Sequence, residues 1–263
     1  MTINGIRTGI RTALSMRDVS VSNTDQFSRP AVLIESFFYQ IQIAEVMIDN
    51  VSIDTDGSIF KIELATVLQL CQLNFTSIKS STSSSNNNYM IMIDALELDA
   101  SFPSLIQNVS VSNSTVGLLH AETVTGNLSE NNLFSIQDIH ISDCYVENNI
   151  DMITLTLLST YDPYAIIFSN MIFSNLEFKQ GGNILNFEYL LTIPVQIMNS
   201  EFRNITGGKI SVKSFTSNIA DLSTNVVMSN ITVDDINSQF DSFITLQTGA
   251  VLSISDSSFT NMN

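Results

Sequence analysis

The chain has no tryptophan, four prolines, ten glycines, two cysteines and two histidines among 263 residues. Only 14% of its residues are charged, against about a quarter in an average soluble domain. Basic residues are scarcest: ten Lys and Arg stand against 26 Asp and Glu, a net charge of −16. Each shortage excludes something. Phosphate backbones and anionic lipid need clustered Lys and Arg, so nucleic acid is not expected as a partner. Two histidines without a Cys cluster give a zinc site no support, and Cys71 and Cys144 say little about redox compartment. No apolar run reaches the roughly 18 to 20 residues that span a bilayer, so no membrane insertion is expected. The first residues, with Arg7 and Arg11 in a polar stretch, lack the apolar core of a secretory signal. The expectation is a chain that is not exported, or an interior piece of a longer one. What fills the space is 26 Asn, 36 Ser and 22 Thr beside 44% hydrophobic residues, too apolar a mixture for disorder.

The surplus Asn is periodic. Ile106-Gln107-Asn108-Val109-Ser110-Val111-Ser112-Asn113 recurs as Ile136-Gln137-Asp138-Ile139-His140-Ile141-Ser142-Asp143 and as Phe168-Ser169-Asn170-Met171-Ile172-Phe173-Ser174-Asn175. Further copies start at Met16, Ile48, Leu70, Ile197, Met228 and Ile254, with spacings of 32, 22, 36, 30, 32, 29, 31 and 26 residues along the chain. A period near 30 residues signals a solenoid or array. The third position reads Asp18, Asn50, Gln72, Asn108, Asp138, Asn170, Asn199, Asn230 and Asp256. That is eight Asn or Asp in nine, where 42 such residues in 263 would place one or two by chance. The eighth position is similarly rich, with Asn23, Asn113, Asp143, Asn175, Asn204, Asp235 and Asn261 against Thr55 and Ser77.

Between the copies run shorter alternating segments: Val32–Ile34, Ile59–Ile62, Met90–Ile93, Met152–Leu155, Ile184–Phe187, Ile210–Val212 and Phe243–Leu246. Period-two patterning rich in β-branched and aromatic residues reads as short strands, and helical periodicity is missing. If each repeat is one turn, equivalent strands stack about 4.8 Å apart and pair in parallel. Fourth- and sixth-position residues such as Val109 and Val111 then face inward, and Phe75, Phe173, Phe202 and Phe259 stack at successive levels. Asn and Asp tolerate left-handed backbone at corners and can form ladders along the stack. A leucine-rich repeat fits worse, because its polar position falls one residue later and a helical segment should replace the second strand.

The segment Ile197-Met198-Asn199-Ser200-Glu201-Phe202-Arg203-Asn204-Ile205-Thr206-Gly207-Gly208-Lys209-Ile210, repeated in Phe173-Ser174-Asn175 with Gly181-Gly182-Asn183-Ile184, resembles right-handed parallel β-helix proteins of the pectin-lyase-like type. It is similar in particular to large surface proteins of ciliates and other protists and to polymorphic outer-membrane proteins of bacteria. The resemblance covers residues 16 to 263 and implies an all-β, right-handed parallel β-helix of about eight coils. Residues 1–15 would be a cap or the end of a preceding coil, and residues 80–88, a Ser/Asn tract, a polar loop. Non-catalytic ectodomains and adhesins of that group imply a structural or adhesive segment at the cell surface or outside the cell. The enzymatic branch implies the alternative, a carbohydrate-active lyase or hydrolase.

Individual residues add little chemistry. Asn23-Thr24-Asp25 and Asp234-Asp235 echo hydrolase motifs, but seven coils, roughly 34 Å, separate them, and paired carboxylates must flank one glycosidic bond. Ser52 to Gly57 with Glu63 matches an EF-hand loop except at its first position, making Asp54, Asp56 and Glu63 candidate calcium ligands against the plainer reading of an acidic turn. No other cofactor is expected. Of seven Asn-x-Ser/Thr sequons, Asn74 at an outward position and Asn127 in a polar stretch are the glycosylation candidates. Asn50, Asn108 and Asn230 fall on the corner ladder with Asp138, Asn170, Asn199 and Asp256, where a glycan would clash. The expected partners are other protein chains or further coils at the open solenoid ends, with carbohydrate as a candidate ligand.

Overall fold

The structure, a computed structural model of the chain, describes residues 2–4, 13–27, 30–53, 57–80, 88–98, 102–126, 133–146, 150–157, 165–189, 195–214, 224–237, 242–247 and 250–263. Asp54, Asp56, Asn127 and residues 81–87 of the polar tract lie outside them. Among the described residues every regular element is a strand and every pairing is parallel, so the chain is an all-β parallel β-solenoid. One face stacks the repeat strands: Ala13–Phe27, residues 40–53, residues 67–80, Ser104–Ser112, Leu133–Val146, residues 165–178, residues 195–206, Thr224–Asn237 and residues 250–262. The second face stacks Thr2–Asn4, residues 32–34, residues 58–65, Tyr89–Leu98, Gly117–Gly126, Ile153–Leu157, residues 182–189, residues 208–214 and Ile244–Gln247. The solenoid has about six turns rather than eight. The levels of Met16 and Ile254 stay partly open because nothing covers their outer side among the described residues, whereas Met228 is buried beneath residues 250–262.

Two left-handed residues five positions apart bend every repeat strand. Among the described residues eighteen non-glycine residues have φ between 48° and 57°, and fifteen of these are Asn or Asp. Strand pairing skips these positions, so each corner resets the pleat. Side chains at the first, fourth, sixth and ninth positions therefore all point inward, as Ile136, Ile139, Ile141 and Cys144 do. Left-handed backbone costs most residues roughly 1 to 2 kcal/mol, and short carboxamide or carboxylate side chains lower that cost. That is the physical reason for the Asn surplus.

The corners also correct the repeat register. Met16 pairs with Ile43, and Ile43 with Leu70, so the second copy starts at Ile43 and the first two spacings are 27 residues each. Glu45, with φ 57°, is its third position and Asn50, with φ 52°, its eighth. Because both corners favour Asn, a copy lacking Asn at its first corner can be slid five residues onto its second. Gly117–Gly126 is a strand that the alternation did not reveal, since Leu118 and Leu119 break the period. Of the expected phenylalanine stack, Phe173 and Phe202 realise it, with ring centroids 5.2 Å apart and planes 4° from parallel. Phe259, on the last level, is 38% exposed.

The recurring Gly-Gly has a packing cause. Gly181 and Gly207 adopt φ of 78° and 76°. A β-carbon on Gly182 would lie 2.8 Å from the Phe178 ring, and one on Gly208 2.7 Å from it. Phe178 is fully buried between two coils, and only glycine leaves room for it.

Candidate functional site

The second face gathers the chain's densest polar chemistry. Its strands alternate core residues with two polar rows, and register places neighbours in each row one coil apart, about 4.8 Å. The first row runs Lys61, Met92, His120, Thr154, Asn186 and Ser211. Two residues further along each strand stand Glu63, Asp94, Glu122, Thr156, Glu188 and Lys213, of which Thr156 registers on Glu188 and Glu188 on Lys213. Lys61 Nζ lies 3.2 Å from Asp94 Oδ2, and Lys213 Nζ 3.2 Å from Glu188 Oε1. Both basic groups are thus tied to carboxylates on adjacent coils.

Beneath this face lies a buried polar knot centred on Asp151. Its Oδ1 accepts hydrogen bonds from the Asn183 main-chain N and Nδ2, both at 2.7 Å. Its Oδ2 accepts from Asn186 Nδ2 at 2.8 Å and Thr154 Oγ1 at 3.1 Å. Burial raises the Asp151 pKa above the usual carboxylate value, while these donors pull the other way. A carboxylate with four donors is a structural acceptor, not an available base: detaching it leaves several buried donors unpaired at about 1 to 3 kcal/mol each.

Tyr89 reaches this knot from two coils away. Its ring crosses Gly117, and its hydroxyl hydrogen-bonds with Thr154 and with the Asp151 main chain. A β-carbon at 117 would sit 2.5 Å from Tyr89 Cε1 and closer still to the Asp151 carbonyl oxygen. Burial first, then the Asp151 charge, pushes the Tyr89 hydroxyl up to about 12. The His120 ring packs on Tyr89 at 4.9 Å between centroids. Burial lowers the His120 pKa despite the nearby Glu122, Asp151, Glu188 and Asp94, so the imidazole is neutral at pH 7. Its Nε2 is 3.9 Å from Glu122 Oε1, beyond hydrogen-bonding reach. His120 Nδ1, Asn183 Oδ1 and Asn186 Oδ1 are buried without a hydrogen-bond partner.

Of the residues singled out from sequence, only Glu63 lies on this face among the described residues. Glu63 lies in the acidic row, while Asp54 and Asp56 fall outside the described residues. Among the described residues no three His, Cys, Asp or Glu side chains converge as a metal site. Asn74 is exposed on the repeat face, where its Oδ1 accepts a hydrogen bond from Thr76 Oγ1 at 3.4 Å. Asn50, Asn108, Asp138, Asn170, Asn199, Asn230 and Asp256 all occupy left-handed corners. Corner side chains bond along the stack: Asn50 to Asn23 at 2.9 Å, Asn170 to Asp138 at 3.0 Å, and Asn230 to Asn199 at 2.9 Å. Asn23 and Asp234 sit on the first repeat strand and the last but one, too far apart to act on one bond. Cys71 and Cys144 are both free thiols, and burial lifts Cys144 to about 11.

Sequence reading missed the Asp151 knot because no motif marks it. The only signal is positional: Asp151 and Asn183 immediately precede the alternating segments at Met152 and Ile184, and register stacks them. No family model matches this chain, and comparison with curated proteins and with solved structures finds no match.

Proposed function

We propose that this chain is a non-catalytic structural and adhesive β-solenoid segment of an extracellular or cell-surface protein. One observation carries the reading: on its most polar face the reactive groups are already committed. Asp151 is saturated by four hydrogen bonds, and Lys61 and Lys213 are neutralised by carboxylates one coil away. Such a surface is rigid and pre-ordered, which suits recognition of a flat polar ligand such as carbohydrate. The pectin-lyase-like resemblance and the exposed sequon at Asn74 support the extracellular setting.

A second reading rests on the same rows. Carboxylates at Asp94, Glu122 and Glu188 share one face with Lys61 and Lys213, the arrangement a carbohydrate-active enzyme would need on neighbouring coils. Incubation with neutral and acidic polysaccharides separates the two. The scaffold reading predicts that glycans are retained without new reducing ends or unsaturated products. Chain cleavage that disappears in Glu122→Gln overturns it in favour of the enzyme.

A further inference from the structure

The corner ladders divide the sequons into two kinds. Asn50, Asn74, Asn108, Asn113, Asn204 and Asn230, the six sequon asparagines among the described residues, are all exposed. At Asn50, Asn204 and Asn230 the side-chain Nδ2 is engaged along the stack. It donates to the Oδ1 of Asn23, Asn175 and Asn199 on the preceding coil, each at 2.9 Å. A sugar attached there must either crowd the preceding coil, about 4.8 Å away, or displace the ladder bond.

Asn108 and Asn113 differ, although both occupy left-handed corners, with φ of 54° and 51°. Register sets Asn108 over Gln72 and Asn113 over Ser77, so neither meets an Asn or Asp on the preceding coil. It also sets Asp138 over Asn108 and Asp143 over Asn113. Those carboxylates accept from Asn170 and Asn175 and have no proton to give to the coil beneath. Among the described residues neither Asn108 nor Asn113 takes part in a ladder bond. The clash expected for a glycan at Asn108 therefore does not arise. The backbone at Asn113 is held without its side chain: the buried Ser114 Oγ accepts from the Ile78 main-chain N at 3.1 Å and donates to the Ser112 carbonyl at 2.9 Å. Thr115 Oγ1 accepts from the Ser80 main-chain N at 3.0 Å.

We propose that Asn108 and Asn113, in the sequons Asn108-Val109-Ser110 and Asn113-Ser114-Thr115, carry N-linked glycans. The sugar comes from a lipid-diphosphate-linked oligosaccharide. Asn Nδ2 bonds to the anomeric carbon, the bond from that carbon to the diphosphate oxygen breaks, the lipid diphosphate leaves with the electron pair, and Nδ2 gives up one proton. This inference rests on the extracellular reading, since a chain on the secretory route meets that donor. Asn74, already a candidate, registers on Ser110 between the two corners. Glycans at these corners flank Val109–Ser112 on the repeat face and leave the polar rows of the second face for recognition.

Expression of the full chain behind a cleavable secretory signal in cultured eukaryotic cells tests it. Chain from the medium and chain retained in the cells are treated with a peptide N-glycosidase in heavy-oxygen water, and peptide mass spectrometry reads each formerly glycosylated Asn as labelled Asp. We expect label at Asn108, Asn113 or both in the secreted chain, and label at Asn50, Asn204 and Asn230 confined to the retained chain. Asn108→Asp and Asn113→Asp keep residues that favour the left-handed corner. Each should remove the glycan at its own site, read as a step in gel mobility, with an unchanged circular dichroism spectrum. The inference is overturned if the secreted chain is unlabelled at both Asn108 and Asn113, or if Asn50, Asn204 and Asn230 are labelled as fully in secreted as in retained chain; either result leaves the extracellular reading intact. Retention of the wild type and of the Asn108→Asp/Asn113→Asp double variant alike inside the cell overturns the extracellular reading, and this inference with it.

Discussion

Replacing Gly117 by alanine tests whether the polar knot holds two coils together. The added methyl would overlap the Asp151 carbonyl oxygen and the Tyr89 ring, at 2.5 Å from Cε1. Neither neighbour yields easily. The carbonyl is part of the parallel stack, and Tyr89 is 4% exposed and hydrogen-bonded at its far end. Overpacking of this kind costs about 1 to 3 kcal/mol, and expelling the hydroxyl from its partners adds about 1 kcal/mol. We expect Gly117→Ala to lose about 3 kcal/mol in urea unfolding followed by far-UV circular dichroism. Because solenoids can open one end at a time, hydrogen exchange should place the loss between residues 89 and 157. A double-mutant cycle isolates the ring: in a Tyr89→Ala background the same substitution should cost at least about 1 kcal/mol less. A Gly117→Ala protein within about 0.5 kcal/mol of wild type would refute the packing argument.

Three further outcomes follow from named contacts. Asn175 donates to Asp143 and accepts from Asn204 at φ 54°, so Asn175→Ala should cost about 2 kcal/mol and Asn175→Gly distinctly less, since glycine adopts the left-handed corner freely; equal losses in thermal unfolding would count against the corner account. The folded Asp151 pKa is raised above 3.8, so its contribution to stability is full below the unfolded value and declines as pH rises through the folded one. The stability difference between wild type and Asp151→Asn should therefore shrink from about pH 3.5 to 7, and a difference that grows instead would sink the assignment. Cys144 is buried with its thiol raised to about 11, whereas Cys71 is half-buried; one thiol per native chain should react with a disulfide reagent at pH 8, and two in denaturant.

The repeat was legible because it is written in residue types with few alternatives. Left-handed corners tolerate Asn and Asp, and inward positions demand Val, Ile, Leu or Phe, so spacing alone implied parallel stacked strands. The register of the second copy was not legible, because two corners five residues apart select the same side chains and Glu45 hid the first. Strand Gly117–Gly126 escaped for a related reason: its glycine is required by a tyrosine one coil below, a demand that no local pattern carries.

By itself the sequence determined the class of fold and the period, since each depends on composition or short-range spacing. Tertiary structure alone decided which polar residues meet. Asp151, Thr154, Asn183 and Asn186 converge, with Tyr89 reaching across Gly117, because parallel stacking brings residues about 30 positions apart in sequence to within one strand spacing. The number of turns that close around a buried core was likewise settled in three dimensions. A coil's interior is buried only if the coils on both sides cover it, and among the described residues the first and last levels lack that cover.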